Sequence, residues 1–534
     1  MEKNYVSGEV HTRGSCNGPI SYSVGALPVN DEVVESFSKE VATWEGNFAA
    51  FKCSEDNRYA VVVTDSAGSV PVYYKWCGDN WRVGWNPAEI ASADGGQCVI
   101  DPVSAGDFIL NETVCYPKSL FQGVTAATPG AVTILKPETV ETFVYYEPKE
   151  EEGGGLKYLA EQLRGSLGSA IKENVGEREK INVLFSGGED ARAVVSLLAR
   201  GHDLRLWCFS DSENRETRLA RRAAASLGFE LHVVIRPEGF YKKQIEERVR
   251  AVGGGFDIRH THVFGKLADA VRGADVLLGG NGADALLKTT RMANVSRGLG
   301  SLGPERIAGS FEGPVGVAGP ERHALLRANV AEAVRKRRGE HHERLRRIRP
   351  KTAGTWHTLW PLGTQRTTYA HYLACLLVGP TVVEPFMDSR VFKVAARVPE
   401  EYRVDRKIVH SALVRQMGAA GWVPTSSGRI PRVRGWPGRL IELGVYGGWT
   451  AARHMKRRKA RLLGQRVYLE NPWSPEHYAF RADPDEILGK QRADRMREFM
   501  MDSVLQPTGR TYEETAERMS LEERFRAIQV GVFL

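Results

Sequence analysis

The first 150 residues alternate hydrophobic and polar positions over short runs, a pattern typical of half-buried strands. Runs such as YAVVVTDS at 59–66, SVPVYYKW at 69–76 and WRVGWN at 81–86 are punctuated by Gly, Asn and Asp, which favour turns. This part of the chain is therefore predicted to be rich in β-structure.

The pattern changes after PKEEEGGG at 148–155, which predicts a linker because its charges and glycines favour no regular element. Apolar residues then recur at helical spacing and form one face, made of Leu159, Leu163, Leu167, Ala170 and Ile171. The chain is thus expected to divide into a unit at residues 1–150 and a larger unit at residues 156–534.

Strand-like and helix-like segments alternate beyond residue 180. The predicted strands are INVLF at 181–185, LRLWCF at 204–209, ELHVVI at 230–235 and ADVLLGG at 274–280. Helices are predicted from Glu189 and from about Arg215, and the chain beyond residue 300 has a mostly helical pattern. Such alternation indicates an α/β fold with a parallel sheet and helices on both of its faces.

The segment VLFSGGEDARAVV at 183–195 places Ser186, Gly187 and Gly188 where a strand turns into a helix. Backbone N–H groups in such a turn can approach a phosphate closely, and the helix N-terminus adds positive potential. Asp190 would repel a phosphate unless a cation lay between them, so it is a candidate Mg2+ ligand. The alternative is an ordinary turn in which Asp190 only complements the helix dipole.

Composition narrows the class of partners. The 534 residues carry a formal net charge of +8, which favours anionic partners. No apolar run is long enough to span a bilayer, and the N-terminal residues lack the apolar core of a signal peptide. The seven scattered cysteines include no CxxC pair, so neither a disulfide framework nor a zinc site is indicated. A cytoplasmic protein without a membrane partner is the expectation.

A series of motifs, in order along nearly the whole chain, carries a family resemblance. EGNFAAFKC, VVVTDSAGSVPVYY and LFQGVTAATPG resemble a class II glutamine amidotransferase domain. SGGED after a hydrophobic strand, VLLGGNGAD at 276–284 and PFMD at 385–388 resemble signatures of the asparagine synthetase superfamily. That superfamily includes the β-lactam synthetases and the lasso-peptide cyclases.

The resemblance implies an N-terminal αββα sandwich of the Ntn type, followed by a doubly wound parallel sheet of the pyrophosphate-loop type with helical additions. It implies ATP and Mg2+ as cofactors, adenylation of a substrate carboxylate, and capture of the acyl-adenylate by an amine. Asp190 and Asp284 would hold Mg2+, and the pyrophosphate would be cradled by Ser186, Gly187 and Gly188. The other residues implied in nucleotide binding are Phe185, Phe209, Ser210, Gly279 and Gly280.

The sequence departs from the family pattern at several positions. An amidotransferase of this class uses an N-terminal cysteine whose own α-amine is the base, whereas Cys16 is internal. The N-terminal unit is therefore expected to be inert toward glutamine. In the larger unit Ala191 replaces the last loop serine, with Arg192 beside it as a candidate to compensate, and Ala285 replaces an acid. Thr381 stands where the family has its catalytic glutamate.

Further residues are candidates for catalysis and substrate binding. Glu384, directly before PFMD, is the nearest acid and the candidate general base, the alternative being a surface or helix-capping acid. The resemblance makes Arg432 in VPTSSGRIPRV, with Arg429 close by, the candidate for the family's late lysine, which stabilises charge near the pyrophosphate. Arg259 stands where the family has an arginine facing its site, so the resemblance makes it a candidate ligand of a substrate carboxylate. Asn281, at the position of a catalytic tyrosine or glutamate in the family, is a candidate substrate contact.

The expected activity is that of an ATP-dependent carboxylate–amine ligase that forms an amide, releases AMP and pyrophosphate, and does not use glutamine. The expected substrates are small molecules or peptides in specialised biosynthesis, as in macrolactam (lasso) closure or amidation of a small acid. One alternative is a basic pyrophosphate-loop enzyme acting on tRNA, although the N-terminal unit disfavours a nucleic-acid partner. Another is a decayed scaffold that binds nucleotide without chemistry.

Three remaining features leave alternatives open. The basic stretches at 335–351 and 454–466 are either solvated helical faces or docking sites for an acidic peptide such as a precursor peptide, a partner protein or nucleic acid. FDIRHTH at 256–262 has two histidines but no evident third metal ligand. Trp356 and Trp360 are expected in the core rather than in a pocket.

Overall fold

The structure is a computed structural model of the chain. It describes residues 5–6, 10–16, 27–28, 31–92, 98–150, 154–198, 202–210, 212–237, 240, 242–260, 266–288, 317–356, 360, 381–433, 435–463, 483–509 and 511–534. Among the sequence features discussed above, residues 151–153, 261–262 and 464–466 lie outside the described residues.

Two antiparallel sheets dominate the N-terminal part. Their strands and a short two-stranded pair are β1 Tyr5–Val6, β2 Val10–Cys16, β3 Leu27–Pro28, β4 Gly46–Cys53, β5 Ala60–Thr64, β6 Tyr73–Cys77, β7 Asn80–Gly84, β8 Thr125–Ala126, β9 Ala131–Lys136 and β10 Thr139–Val144. Within the described residues the larger sheet has the order β10-β9-β5-β4-β2, and the smaller one β7-β6-β8. The strands predicted here from alternation are confirmed.

Alternating side chains of β5 explain how these layers stack, because successive strand residues point to opposite faces. Val61 shares a core with Phe37 of helix α1, Asp31–Val41. Val62, on the opposite face, belongs to the core that contains Trp81 of the smaller sheet.

The far side of the smaller sheet is covered by α2, Pro87–Ala91, and α3, Pro102–Asn111, since Tyr73 shares a core with residues of both helices. The order of layers is helix, sheet, sheet, helix. This is the predicted αββα sandwich.

A parallel sheet forms the centre of the larger unit. Its strands are β11 Lys180–Leu184, β12 Asp203–Ser210, β13 Leu231–Ile235, β14 Val276–Leu278 and β15 Thr381–Val383. Within the described residues their order is β13-β12-β11-β14-β15, and every pair is parallel. The chain winds outward from β11 to β13 and then returns to the other side of β11. The switch point between β11 and β14 is where ligands bind in folds of this type.

Helices surround this sheet and fill the C-terminal region, as predicted. They are α4 Leu156–Val175, α5 Glu189–Leu197, α6 Arg215–Ser226, α7 Ile245–Val252, α8 Lys266–Val271, α9 Ala283–Leu287, α10 Pro320–His323, α11 Ala328–Ile348, α12 Ala353–Trp356, α13 Ser389–Ala396, α14 Glu400–Arg403, α15 Lys407–Leu413, α16 Gly435–Leu462, α17 Pro484–Leu488, α18 Lys490–Phe499, α19 Tyr512–Ala516 and α20 Leu521–Gly531. Along the described residues no helix combines the length and the hydropathy needed to cross a bilayer.

The two faces of the parallel sheet have different coverings. One face packs against α4 and α5, where Val183 and Leu278 share a large core with Leu163 and with Trp356. Leu277, between two residues of that core, points to the opposite face and belongs to a core that contains Val271 of α8 and residues of the large N-terminal sheet. Asn182, on the same face, donates a hydrogen bond to the Val271 carbonyl, so α8 and the N-terminal unit both contribute to covering this face.

The basic stretch at 335–351 lies in α11 and just after it. Arg338 is buried and donates a hydrogen bond from Nε to Asp107 Oδ1 at 2.7 Å, while Arg337 pairs with Asp101 at 2.8 Å. Arg349 is also buried. These three arginines therefore form neither a solvated helical face nor a docking site for another molecule. Arg337 and Arg338 bind acids of the N-terminal unit of the same chain.

The first residues of the stretch predicted as a linker, 148–150, form hydrogen bonds with the end of α11. Arg349 Nη1 donates hydrogen bonds to the carbonyl oxygens of Pro148, at 2.6 Å, and of Lys149, at 3.1 Å. The backbone N–H of Glu150 bonds to the carbonyl of Ile348 at 2.9 Å. These hydrogen bonds therefore fix the position of residues 148–150, which connect the two units.

Candidate active site

The loop after β11 has the predicted form. Gly187 has a φ of +75°, which disfavours other residues, and a Cβ placed on it would lie 2.7 Å from Ala220 Cα. Gly188 is the N-cap of α5, whose first turn contains Glu189 and Asp190. Gly187 is therefore required by the tight passage from β11 past α6 into α5, whereas Gly188 has an ordinary φ of −68°.

The second and third motifs meet this loop at the carboxyl ends of β14 and β15. A Cβ on Gly279 would lie 2.2 Å from the Glu384 carboxylate, and one on Gly280 would lie 3.5 Å from Asp190 Cβ. The Gly279 N–H also bonds to the Val383 carbonyl at 3.0 Å. Three motifs far apart in sequence thus converge at the switch point of the sheet.

Asp190 and Asp284 approach one common partner, which the sequence analysis did not single out. Lys288 Nζ donates hydrogen bonds to Asp190 Oδ2 at 2.6 Å and to Asp284 Oδ1 at 2.7 Å. The lysine side chain is 3% exposed, whereas that of Asp284 is 66% exposed at the rim of the site. The expected pairing of the two acids is therefore present, with an ammonium group between them.

The electrostatics of this cluster follow from burial and charge. Burial raises the pKa of Asp190 to about 6, against the attraction of Lys288. Burial lowers the pKa of the Lys288 ammonium, but the two acids outweigh burial and raise this pKa above its ordinary value. The surrounding protein partly desolvates Asp284 at the rim and opposes its ionisation, yet Lys288 outweighs this effect and lowers the pKa of that carboxyl. Lys288 thus remains positively charged at neutral pH.

The two acids have donors suited to Mg2+, which prefers carboxylate and phosphate oxygens. Asp190 Oδ1 is buried and accepts no hydrogen bond from the described residues. Within those residues no group of three or more His, Cys, Asp or Glu side chains could hold a metal ion. Asp190 and Asp284 therefore fit a metal that also takes ligands from phosphates and water.

Glu384 is neither a surface acid nor a helix cap. It is 2% exposed, and its side chain makes no capping hydrogen bond to the short 3₁₀ turn Pro385–Met387 that follows it. Its carboxylate accepts hydrogen bonds from the backbone N–H of Asn281 at 3.0 Å and from the Asn281 side-chain amide at 2.7 Å. Burial raises the pKa of Glu384 to about 7, although both hydrogen bonds oppose this.

Glu189 is a second feature that sequence analysis missed. It is buried in the first turn of α5 and pairs with Arg406 at 2.9 Å and with Arg429 at 3.3 Å. Burial raises its pKa, but the two arginines outweigh burial and the pKa lies below its ordinary value. Arg406 has a φ of +57°, an unusual backbone conformation for a residue with a side chain. The local sequence feature that marks Arg406 is the polar segment DRK at 405–407, which follows PFMD.

The contacts of Arg432 lie away from the glycine loop, and its role toward pyrophosphate stays a prediction. Arg432 donates a hydrogen bond to the carbonyl of Gly418 at 3.2 Å and lies over the Trp422 ring. Arg429, by contrast, reaches Glu189 beside Asp190. Sequence spacing favoured Arg432, but the turn from Thr425 to Arg429 directs the earlier arginine to the loop.

Arg192 does not take the place of the missing loop hydroxyl. Its guanidinium is fully buried and donates hydrogen bonds to four backbone carbonyls, those of Gly187, Ala420, Val423 and Pro424. Burial lowers its pKa to about 10, so it stays charged at neutral pH. Its contacts identify it as a structural link between the loop and the segment that leads to Arg429.

Arg259, the predicted ligand of a substrate carboxylate, is engaged elsewhere. It pairs with Asp257 at 2.6 Å and with Glu112 of the N-terminal unit at 3.4 Å. Arg526 of α20 also contacts Asp257, at 3.5 Å. The structure does not bring Arg259 to the Asp190–Lys288–Asp284 cluster through any of these contacts, and its role toward substrate stays a prediction.

The residues expected to line the nucleotide differ in burial and in their contacts. Phe185 is buried in the main core. Phe209 is half-buried and packs against Phe240, with Arg236 over its ring. Ser210 is buried and donates a hydrogen bond from Oγ to the Ser212 carbonyl at 2.9 Å. The roles of Phe185, Phe209 and Ser210 toward a nucleotide stay predictions.

The fold and the converging loops define a doubly wound α/β protein with its site at the switch point. The family model described as asparagine synthase matches residues 162–433, just over half of the chain. The chain therefore belongs to the asparagine synthase family. This membership supports an ATP-dependent amide-forming ligase as the general class of activity.

Comparisons with other proteins add little. No curated protein matches the chain. A solved structure of glutamine phosphoribosylpyrophosphate amidotransferase from B. subtilis, complexed with ADP and GMP, is 14% identical and has a TM-score of 0.16. That match covers 43% of this chain and 62% of the other, so the chain spans less than two thirds of that protein. Nothing about activity follows from a likeness this weak.

Proposed function

We propose that this protein joins a carboxylate to an amine through an acyl-adenylate, consuming ATP and releasing AMP and pyrophosphate. The observation that carries the proposal is the convergence of three strand ends. The loop of Gly187 and Gly188, the acids bridged by Lys288, and Glu384 all meet at the switch point of the sheet. A phosphate-binding turn, charge-neutralising groups and a proton acceptor are the parts that such a reaction requires.

The protein groups divide the work between two steps. In the first, the N–H groups of the glycine turn and the start of α5 bind the phosphates while a substrate carboxylate attacks the α-phosphate, and pyrophosphate leaves with the electron pair of the broken bond between the α-phosphorus and its bridging oxygen. Asp190 and Asp284 would hold Mg2+, which when bound neutralises the phosphate charge. In the second, the amine attacks the acyl carbon, and the Glu384 carboxylate accepts the proton that the amine loses. AMP leaves with the electron pair of the broken acyl–phosphate bond.

The proposal includes independence from glutamine. Cys16 is the last residue of β2, which pairs with β4 from Val10 opposite Lys52 to Cys16 opposite Gly46. A cut that freed the α-amine of Cys16 would remove the rest of β2 and expose the edge of β4. Such a loss opposes an N-terminal nucleophile at this position, so the amine comes from the substrate itself.

The substrate class is proposed as a peptide or a small acid of specialised biosynthesis, including closure of a macrolactam. Two features support this class. Asn281 stands beside Glu384 where relatives carry a tyrosine or a glutamate, which favours an altered amine substrate. The exposed basic residues of α16, including Arg458 and Lys459, suit a peptide with acidic residues.

The decisive experiment measures pyrophosphate release from ATP with panels of carboxylic acids and acidic peptides. The proposal expects acid-dependent release of pyrophosphate together with AMP, and amide formation when an amine is supplied. Addition of glutamine should produce no glutamate. If ADP were formed instead, or if no acid stimulated release, the protein would be a nucleotide-binding scaffold or a different enzyme. Stimulation by tRNA alone would favour the tRNA-modifying alternative.

A further inference from the structure

The ammonium of Lys288 occupies a defined place between the two metal-ligand candidates. Asp284 lies in the first turn of α9 and Lys288 follows that helix four residues later, so the two side chains share one face. Asp190 approaches from the first turn of α5 on the other side. The lysine is therefore clamped by acids from two different motifs.

Burial makes this arrangement more than a surface ion pair. Burying a lysine is unfavourable unless opposite charges and hydrogen bonds compensate for the loss of hydration. Here the side chain is 3% exposed, with carboxylate oxygens at 2.6 and 2.7 Å from Nζ. The ammonium neutralises one of the two negative charges that the acids would otherwise present. It also fixes their separation.

A divalent cation and this ammonium compete for the same oxygens. Mg2+ requires carboxylate oxygens at about 2.0–2.1 Å and a nearly octahedral shell. Asp190 Oδ2 and Asp284 Oδ1 are already directed at Nζ, so a metal bridging them would displace the lysine. Even a metal on Asp190 Oδ1 alone would lie close to the positive charge.

We propose that Lys288 is a built-in counter-ion that holds Asp190 and Asp284 together and makes divalent-cation binding depend on the nucleotide. The protein alone then binds such a cation weakly, since the metal has to expel an ammonium that already neutralises the acids. A nucleotide changes this balance because its phosphates bring negative charge for both the metal and the displaced lysine. The assignment of the two acids as metal ligands rests on the proposed function.

The test is Mn2+ binding in the absence of nucleotide, followed by electron paramagnetic resonance and by thermal unfolding with Mn2+ or with EDTA. The variants are Lys288→Met, Lys288→Gln and Lys288→Arg, with Lys172→Met on an exposed face of α4 as the matched control. Met and Gln remove the charge, and Gln still donates hydrogen bonds to the acids. Arg retains the charge.

The proposal expects both neutral variants to bind Mn2+ at least about tenfold more tightly than the wild type, because a charge in contact with the ligands is gone. Their stabilisation by Mn2+ should exceed that of the wild type. Lys288→Arg and Lys172→Met should bind as weakly as the wild type. Should the neutral variants unfold in EDTA, excess Mn2+ must restore their folding.

Unchanged or weaker Mn2+ binding in both neutral variants overturns the inference, as does tight binding by the wild type. This outcome is independent of the ligase assay. A chain that gains Mn2+ affinity on losing Lys288 yet never releases pyrophosphate would refute the proposed function and leave the counter-ion role intact.

Discussion

Glu384 accepts two hydrogen bonds from Asn281, from the backbone N–H at 3.0 Å and from the side-chain amide at 2.7 Å. The two residues follow different strands, β15 and β14, which pair in the parallel sheet. Asn281 therefore orients a buried carboxyl whose pKa burial raises to about 7. A carboxyl with this pKa can accept a proton at neutral pH and return it afterwards.

Replacing Glu384 with Gln should reduce amide formation by about 100-fold or more, because the proton acceptor is lost. Pyrophosphate release with the acid alone should fall much less, since that step needs no base from Glu384. Gln still accepts the hydrogen bond from the Asn281 N–H, so the fold is preserved. Product analysis of both half-reactions, with exposed Glu401→Gln as the control, checks this split. An equal decrease in the rates of pyrophosphate release and amide formation would show that Glu384 is not the base.

The raised pKa of Glu384 also sets the pH dependence. Its basic form becomes populated as the pH rises through about 7, so the rate of amide formation should climb between about pH 6 and pH 8. The residual activity of Glu384→Gln should lack this rise. A rate that declines over the same interval in the wild type would contradict the assignment.

The same pKa shift predicts a loss of stability with rising pH. The unfolded chain releases the Glu384 proton near 4.5, whereas the folded chain keeps it until about 7. Stability from this group is thus fully present below about pH 4.5 and declines as the pH rises to 7, by up to about 3 kcal/mol. As the pH rises over that interval, the melting temperature of Glu384→Gln should increase relative to that of the wild type. Parallel curves would argue against the shift.

Asp190→Ala and Asp284→Ala should each abolish pyrophosphate release while the circular dichroism spectrum stays unchanged. Each variant removes one carboxylate of the pair that would hold Mg2+ beside the phosphate loop. Glu161→Ala, at an exposed position of α4, is the control with normal activity. Near-normal release by either active-site variant would show that the metal assignment is wrong.

Arg192→Met should destabilise the protein by about 3 kcal/mol, because four backbone carbonyls lose a buried charged donor. Arg218→Met, on the exposed side of α6, should change the unfolding free energy by less than about 0.5 kcal/mol. Chemical denaturation measures both. A stable Arg192→Met protein that lost only nucleotide affinity would make Arg192 a phosphate ligand instead of a structural link.

Arg338→Met should cost about 3–5 kcal/mol, since it leaves Asp107 buried and without its charge partner. The matched control is Arg335→Met in the same helix, an exposed position where almost no effect is expected. Denaturation midpoints distinguish the two. Similar stability of both variants would mean that the contact between α11 and the N-terminal unit contributes little.

Much of the site could be predicted from local sequence. Gly187 and Gly188 after a hydrophobic strand indicated the turn, and Asp190 in the next helical turn indicated a charge near it. Lys288 and Arg406 could not be found in the same way, because each stands in a segment without a phosphate-binding pattern. Their importance comes from partners about one hundred or more residues away, Asp190 for Lys288 and Glu189 for Arg406.

The hydrophobic periodicity by itself determined the order of strands and helices and the α/β class, since these depend on which face of each element must be buried. Only the tertiary structure decided which charges meet. Burial placed Lys288 between Asp190 and Asp284, turned Glu384 inward to Asn281, and directed Arg337 and Arg338 to the N-terminal unit. The physical reason is that a buried charge has to find its counter-charge in space, and sequence distance places no limit on where that partner lies.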